Sequence, residues 1–283
     1  MTRTRPLASD PRAVAGMAIL GTFLVWAVAA PLLAPADPIA QGNVLGTRFV
    51  PPLARDAGGS LHVLGTDALG RDLYSRLLYG ARISLSVGIL SVIVSVTLGT
   101  AIGMVSALVG GIVERALMAI TDAALALPRI VLLLALASMW EQSLVLVVLV
   151  LGLTGWMTVA RLVRAEVKGI LQRPYMEASR AAGARRLRTM CDHVLPNAWT
   201  PVIVTAALGV GNAIMLEAGL SFLGLGIPAP APSWGNLIAN GRDALVNAPW
   251  ISTIPGLTVA LAVVACNLLG DGLRDTLDPR TRR

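Results

Sequence analysis

Charge is scarce in this 283-residue chain. Only 14% of residues are Asp, Glu, Lys or Arg, against about 25% in soluble domains. That shortage excludes an ordinary soluble globular unit, and the mean hydropathy of +0.72 agrees. Lysine is nearly missing: Lys168 is the single one among 23 basic residues. It is followed by Gly169, so the Gly-Lys-Ser/Thr of a P-loop does not occur and the chain supplies no ATP site. His-Glu-x-x-His and Gly-x-Ser-x-Gly are also missing, which removes the common zinc-protease and nucleophile-elbow chemistries. The two cysteines, Cys191 and Cys266, do not read as a disulfide framework. The two histidines, His62 and His193, fall on opposite sides of the topology derived below and form no metal site. The net charge of +7 comes without any nucleic-acid motif. Its placement between apolar runs is the pattern of membrane topology, so nucleic acid is not expected as a partner.

What the chain does have is long apolar runs. Six reach the roughly 20 residues a helix needs to cross about 30 Å of hydrocarbon: 13–30, 83–109, 116–140, 143–160, 201–225 and 251–270. The first exceeds the core of a signal peptide and reads as an uncleaved anchor. The chain is therefore expected to be an all-α polytopic membrane protein with about six spans. Basic residues orient it. With the N-terminus inside, Arg3, Arg5, Arg12, Arg115, the eight basic residues from Arg161 to Arg188, and Arg274, Arg280, Arg282 and Arg283 lie on the inner side. Arg48, Arg55, Arg71, Arg76, Arg82 and Arg242 lie outside, and Arg129 falls within the third span. Both termini are expected in the cytoplasm. The layout is an N-terminal tail (1–12), an anchor helix (13–34), an extracytoplasmic segment (35–82), a membrane core (83–270) holding a cytoplasmic loop (161–200), and a C-terminal tail (271–283).

Several residues within the spans stand out. Ser84, Gly88, Ser91, Ser95, Gly99, Gly103 and Ala107 recur at spacings of three and four, which makes one helical face of small side chains. Such a face admits another helix closely, either as static packing or as a sliding face beside a pore. Asp122 and Arg129 lie seven residues apart on roughly one helical face and are candidates to pair or to snorkel. Glu217, late in the fifth span, is a candidate to line the outer part of a passage or to lock a partner subunit; an interfacial carboxylate reaching water is the plainer alternative. Charges at such depth are costly. Asp67 and Asp72 suit helix capping and the orientation of Arg71 better than metal binding.

The most elaborate polar segment is 177–197, "EASRAAGARRLRTMCDHVLPN". Glu177, Ala178, Ala181 and Ala182 favour helix. Gly183 can end that turn in a left-handed conformation that other residues adopt at a cost of about 1 kcal/mol or more. A second short helix can follow, with Pro196 and Pro201 suited to the turn and start of the next span. Charge alone would make this a basic loop that satisfies the inside bias and touches anionic lipid. The Glu-Ala start, the central glycine and the Leu-Pro end go beyond that.

At these residues the chain resembles the permease subunits of ABC importers. Their signature loop reads Glu-Ala-Ala, three residues, Gly, nine residues, Ile, one residue, Leu-Pro. Here it is Glu177, Ala178 and Ser179, then Gly183, then His193, Val194, Leu195 and Pro196. Ser179 and His193 depart from the pattern, and His193 followed by "VLPN" is similar to the dipeptide/oligopeptide/nickel subgroup. "LGTDALGRDLYSRLLYGARISLSVG" (64–88), "EAGLSFLGLGIPAPAPSWG" (217–235) and "LGDGLRDTLDPR" (269–280) look like that subgroup's C-type permease. The resemblance implies the type I permease fold in a bacterial or archaeal cytoplasmic membrane. It also implies that the loop is a coupling helix docking on one or two separate ATPase subunits, through Glu177, Ala178, Ser179, Ala182, Gly183, His193, Leu195 and Pro196. ATP and Mg would sit on those subunits, with no cofactor on this chain. A B-type permease would complete a heterodimer, an extracytoplasmic solute-binding protein would deliver peptides, nickel or other small solutes, and lipid would surround the whole. Glu217, Asp122, Gly99 and Gly103 are the candidates for the pathway or the partner interface. An ion-coupled secondary transporter is the alternative; it calls for paired intramembrane acids and broken helices in two repeats. An intramembrane enzyme would need a catalytic pair that the spans do not offer.

Overall fold

The computed structural model describes residues 10–41, 44–176 and 194–277. Helix α1, Pro11–Leu33, starts on Asp10, whose carboxylate accepts from the Arg12 amide, with proline in its first turn. This start suits proline, whose missing N–H is not needed there. A short turn α2, Val44–Thr47, and a two-residue hairpin, β1 Ala54–Arg55 with β2 Leu61–His62, lead into α3, Leu73–Val109. Asp72 caps α3 by accepting from the Ser75 amide at 2.8 Å, and Gly110 closes it with φ +69°. Its 37 residues span about 55 Å at 1.5 Å each, well beyond the hydrocarbon core. The helix thus begins ten residues before the expected 83, inside the segment read as extracytoplasmic loop. It continues there because the charged Arg76 is anchored: its Nη1 donates to the Pro38 carbonyl at 2.9 Å, and its guanidinium lies within ion-pairing distance of Asp67, with Nε at 3.7 Å.

The expected single span 116–140 is two helices. Helix α4, Gly111–Ala126, and helix α5, Arg129–Ser138, meet at 87° across Leu127 and Pro128. The residue before a proline is pushed out of the helical region, and Leu127 is extended, with ψ 133°. Helices α6, Leu144–Leu153, and α7, Trp156–Leu171, join across Thr154 and Gly155 as one apolar unit that outruns the expected 143–160. Helix α8, Leu195–Phe222, starts six residues before the expected 201 and carries Pro201 inside it. A short helix α9, Trp234–Gly241, held by a capping box between Ser233 and Asn236, precedes α10, Trp250–Leu277, which reaches into the expected tail. Among the described residues, five helical units are long and apolar enough to cross a membrane, or six when the bent α4–α5 pair is one span.

Helix α3 is the central post. It packs against α7, α8, α1 and α6, while α10 closes on α8, α1 and α9. One core joins Phe23, Leu73, Leu77, Ile214, Trp234 and Val259, with the Phe23 ring edge-on to Trp234 at 5.1 Å. A second joins Ala107, Val163, Val167 and Ile170 to Met176, Val194, Ala198 and Val202. Large apolar side chains such as Val28, Leu32, Ile93 and Ile112 face outward, as they can where lipid is the solvent.

Candidate translocation cavity and coupling junction

The small-residue face of α3 divides its work. Gly99 and Gly103 lie against α7. A Cβ on Gly99 would stand 2.6 Å from the Trp156 carbonyl, and one on Gly103 would stand 2.5 Å from the Ala160 carbonyl. Only a hydrogen fits, so these two glycines set the α3–α7 spacing within the chain. Further up, Gly88 faces Val210 and Ile214 of α8. Between the two contacts the helices part around a cavity of about 240 Å³. Ser91 and Ser95 of α3, Gly155 and Thr158 at the α6–α7 junction, Thr205 and Asn212 of α8, and Arg129 line it. Ser91 Oγ and Arg129 Nε are buried and have no hydrogen-bond partner among the described residues. The arginine's Nη2 reaches the Leu151 carbonyl at only 3.5 Å.

Asp122 and Arg129 therefore do not pair. The 87° bend between them breaks the helical face they would share. Asp122 instead takes Arg161 of α7 at 2.6 Å, with both side chains more than half exposed. Glu114 of α4 takes Arg164, whose Nε donates at 2.7 Å, and Lys168. These pairs tie α4 to α7 along the end of the bundle that carries the basic segment.

Glu217 reaches neither water nor an open passage: it is fully buried. Its Oε1 accepts from Ser221 Oγ at 2.7 Å and Ser233 Oγ at 2.8 Å, and its Oε2 accepts from Ser84 Oγ at 3.4 Å. Ser84 Oγ in turn accepts from the Trp234 amide at 3.0 Å, and the Trp234 indole donates to the Leu77 carbonyl at 3.1 Å. The carboxylate thus pins α9 against α3 and α8. Sequence spacing finds Ser221, one turn on, but Ser84 and Ser233 carry no local signal. Thr205 and Asn212, seven residues apart on α8, were legible as a polar stripe and were missed.

Six of the expected coupling residues, Glu177, Ala178, Ser179, Ala182, Gly183 and His193, lie outside the described residues. Leu195 and Pro196 form the first turn of α8. The residues flanking the segment, Met176 and Val194, are both fully buried in the cluster built from α3, α7 and α8.

At the other end of the bundle the chain from Ala36 to Asp72 folds over the start of α3. Asp67 holds Arg71 at 2.7 Å, and His62 Nδ1 lies 2.8 Å from Asp72. Asp67 and Asp72 thus cap and orient, as their sequence context suggests. The Ser60 amide donates to Asp56 and, with His62 nearby, holds the Asp56 carboxyl below the usual carboxylate range. The Trp250 indole donates to the Thr66 carbonyl at 3.3 Å and ties this cap to α10.

Known proteins resemble this chain in sequence and in overall fold. Residues 99–283 match the family described as binding-protein-dependent transport system inner membrane component. The di/tripeptide transport system permease protein DppC of Pseudomonas aeruginosa is 40% identical over 97% of this chain and 90% of its own length. The dipeptide transport system permease protein DppC of Haemophilus influenzae is 37% identical over 94% and 91%. A putative peptide transport system permease protein of Brucella suis is 39% identical over 94% and 87%. Among solved structures, a chain of the MetNI methionine ABC transporter in an inward-facing conformation superposes with a TM-score of 0.60 at 20% identity, over 72% of this chain and 97% of that one. A chain of an amino acid ABC transporter gives 0.53 at 17% identity, over 72% and 94%. The fold is that of type I importer permeases, and the chain belongs to the inner-membrane component family of binding-protein-dependent transport systems, as a permease subunit of an ATP-driven importer.

Proposed function

We propose that this permease subunit forms half of a membrane passage for short peptides, delivered by a soluble solute-binding protein and driven by ATP hydrolysis, with its Mg, on separate ATPase subunits. The substrate class follows the named relatives, which align over nearly the whole chain. In this reading a related B-type permease supplies the other half of the passage. Both termini and the 161–200 segment face the cytoplasm of a bacterial or archaeal cell.

The observation that carries the coupling mechanism is the burial of Met176 and Val194 in one cluster with α3, α7 and α8. A close-packed interior does not compress; it shifts as a unit. A segment clamped at both ends in such a cluster passes its displacement to the helices that line the cavity. When the ATPases close, the 177–193 segment moves, α7 and α8 move with it, and the cavity opens to the other side.

The test is a reconstituted complex of this chain, its partner permease, the ATPases and the receptor. Glu177→Lys and Gly183→Val should still assemble with the partner permease. They should lose ATPase co-purification or receptor-stimulated hydrolysis, with uptake of labelled dialanine falling by about tenfold or more, the scale of one lost charge-assisted contact. Full ATPase binding and full uptake in both variants would leave the segment as a basic loop on lipid. A transport-active complex holding only this permease and ATPases would sink the heterodimer.

A further inference from the structure

We propose that Arg129 is a carboxylate-binding station at mid-membrane, taking the terminal carboxylate of a peptide as it passes through the cavity; this rests on the peptide reading above. Three helical units reach the cavity at their midpoints. Ser91 is the middle residue of α3, Thr158 lies at the centre of the 144–171 unit, and Asn212 lies near the middle of α8. The cavity therefore lies within the apolar stretches of all three, away from their ends. An arginine at that depth is costly, and such residues are otherwise paired. Arg129 has no carboxylate within ion-pairing distance among the described residues; its acidic neighbour in sequence, Asp122, is taken by Arg161.

The surroundings hold the cation toward the cavity rather than neutralise it. A Cβ on Gly155 would stand 3.3 Å from Arg129 Nη2 and 2.5 Å from Ser95 Oγ, so the guanidinium and Ser95 share one small space. Ser91, 2% exposed, lines the same cavity with a hydroxyl that has no partner among the described residues. Asn212 and Thr158 add neutral donors and acceptors, and no acidic side chain among the described residues lines the wall. A positive site with spare hydroxyl and amide groups suits a carboxylate beside a peptide bond. A guanidinium presents a planar fork matched to a carboxylate. The same field opposes a cationic group at that position.

Two measurements test this in the reconstituted complex. In the first, Thr158→Cys is introduced with Cys191→Ser and Cys266→Ala, and its reaction with a maleimide is followed with Arg129 intact. Dialanine at millimolar concentration should slow labelling, and dialanine amide should not. Equal protection by the two, or protection by neither while the unsubstituted complex takes up dialanine, overturns the inference and leaves the peptide reading standing. In the second, Arg129→Gln should reduce dialanine uptake about tenfold, on the scale of one charge-assisted hydrogen bond, and Arg129→Lys should recover part of it. Unchanged uptake in Arg129→Gln overturns the inference. So does loss of the partner permease from the purified variant, which would show that Arg129 pairs across the subunit interface. Failure of the unsubstituted complex to take up any short peptide sinks the peptide reading itself, and is distinct from all of these.

Discussion

Glu217 shows how one side chain is settled by groups far away in the chain. Its carboxylate accepts from three serine hydroxyls contributed by α3, α8 and the residue capping α9. A buried donor left without an acceptor costs about 1–3 kcal/mol. Glu217→Ala removes the acceptor for all three hydroxyls and should lower the stability of the purified complex by about 2–4 kcal/mol, allowing for partial rearrangement. Glu217→Gln keeps one acceptor oxygen and should fall between. Thermal unfolding followed by tryptophan fluorescence reads this directly, since Trp234 is bonded into the same network. An alanine variant that melts with the unsubstituted protein would show that the network carries no stability.

Between elements, the decisive contact is α3 on α7. The two glycines let the backbones approach, and the cluster below them holds Met176 and Val194, the residues on either side of 177–193. Gly103→Val would place a Cβ 2.5 Å from the Ala160 carbonyl and 2.9 Å from Val163 Cβ. Overpacking of this kind costs about 1–3 kcal/mol. The variant should melt earlier than the unsubstituted protein, whereas Gly169→Ala, on the facing helix α7 with nothing within 4 Å of its added Cβ, should not. Identical melting of both variants would mean that α3 and α7 do not meet this closely. The bend between α4 and α5 matters for the same reason: it takes Arg129 off the face of Asp122 and delivers it to the cavity wall.

At the scale of the whole molecule, the two ends of the bundle differ. The ion pairs of Glu114 and Asp122 with α7 gather at the end that carries the basic segment, and the Ala36–Asp72 cap closes the other end. The proposed orientation places the basic end in the cytoplasm. A cysteine at Ala57, an exposed position in the cap, should react with an impermeant thiol reagent on intact cells, and native Cys191 should not. Labelling of Cys191 from outside reverses the orientation.

The apolar helices, five or six among the described residues, and the basic bias of one end were legible in the sequence. Each rests on a local quantity: the apolar content of about 20 consecutive residues or the charge of a loop. The caps of Asp67 and Asp72 were legible for the same reason, since their partners lie within four residues. The length of α3 was not, because its first ten residues are polar enough to read as loop until the Pro38 carbonyl and Asp67 are brought to Arg76. The pairing of Asp122 with Arg161, the placement of Arg129 at the cavity wall and the burial of Glu217 among Ser84, Ser221 and Ser233 were decided only by tertiary structure. Each depends on how helices distant in sequence are rotated and how closely they cross. Glycines on α3 and a proline between α4 and α5 set those angles, but what they bring together is determined by the other helices they meet.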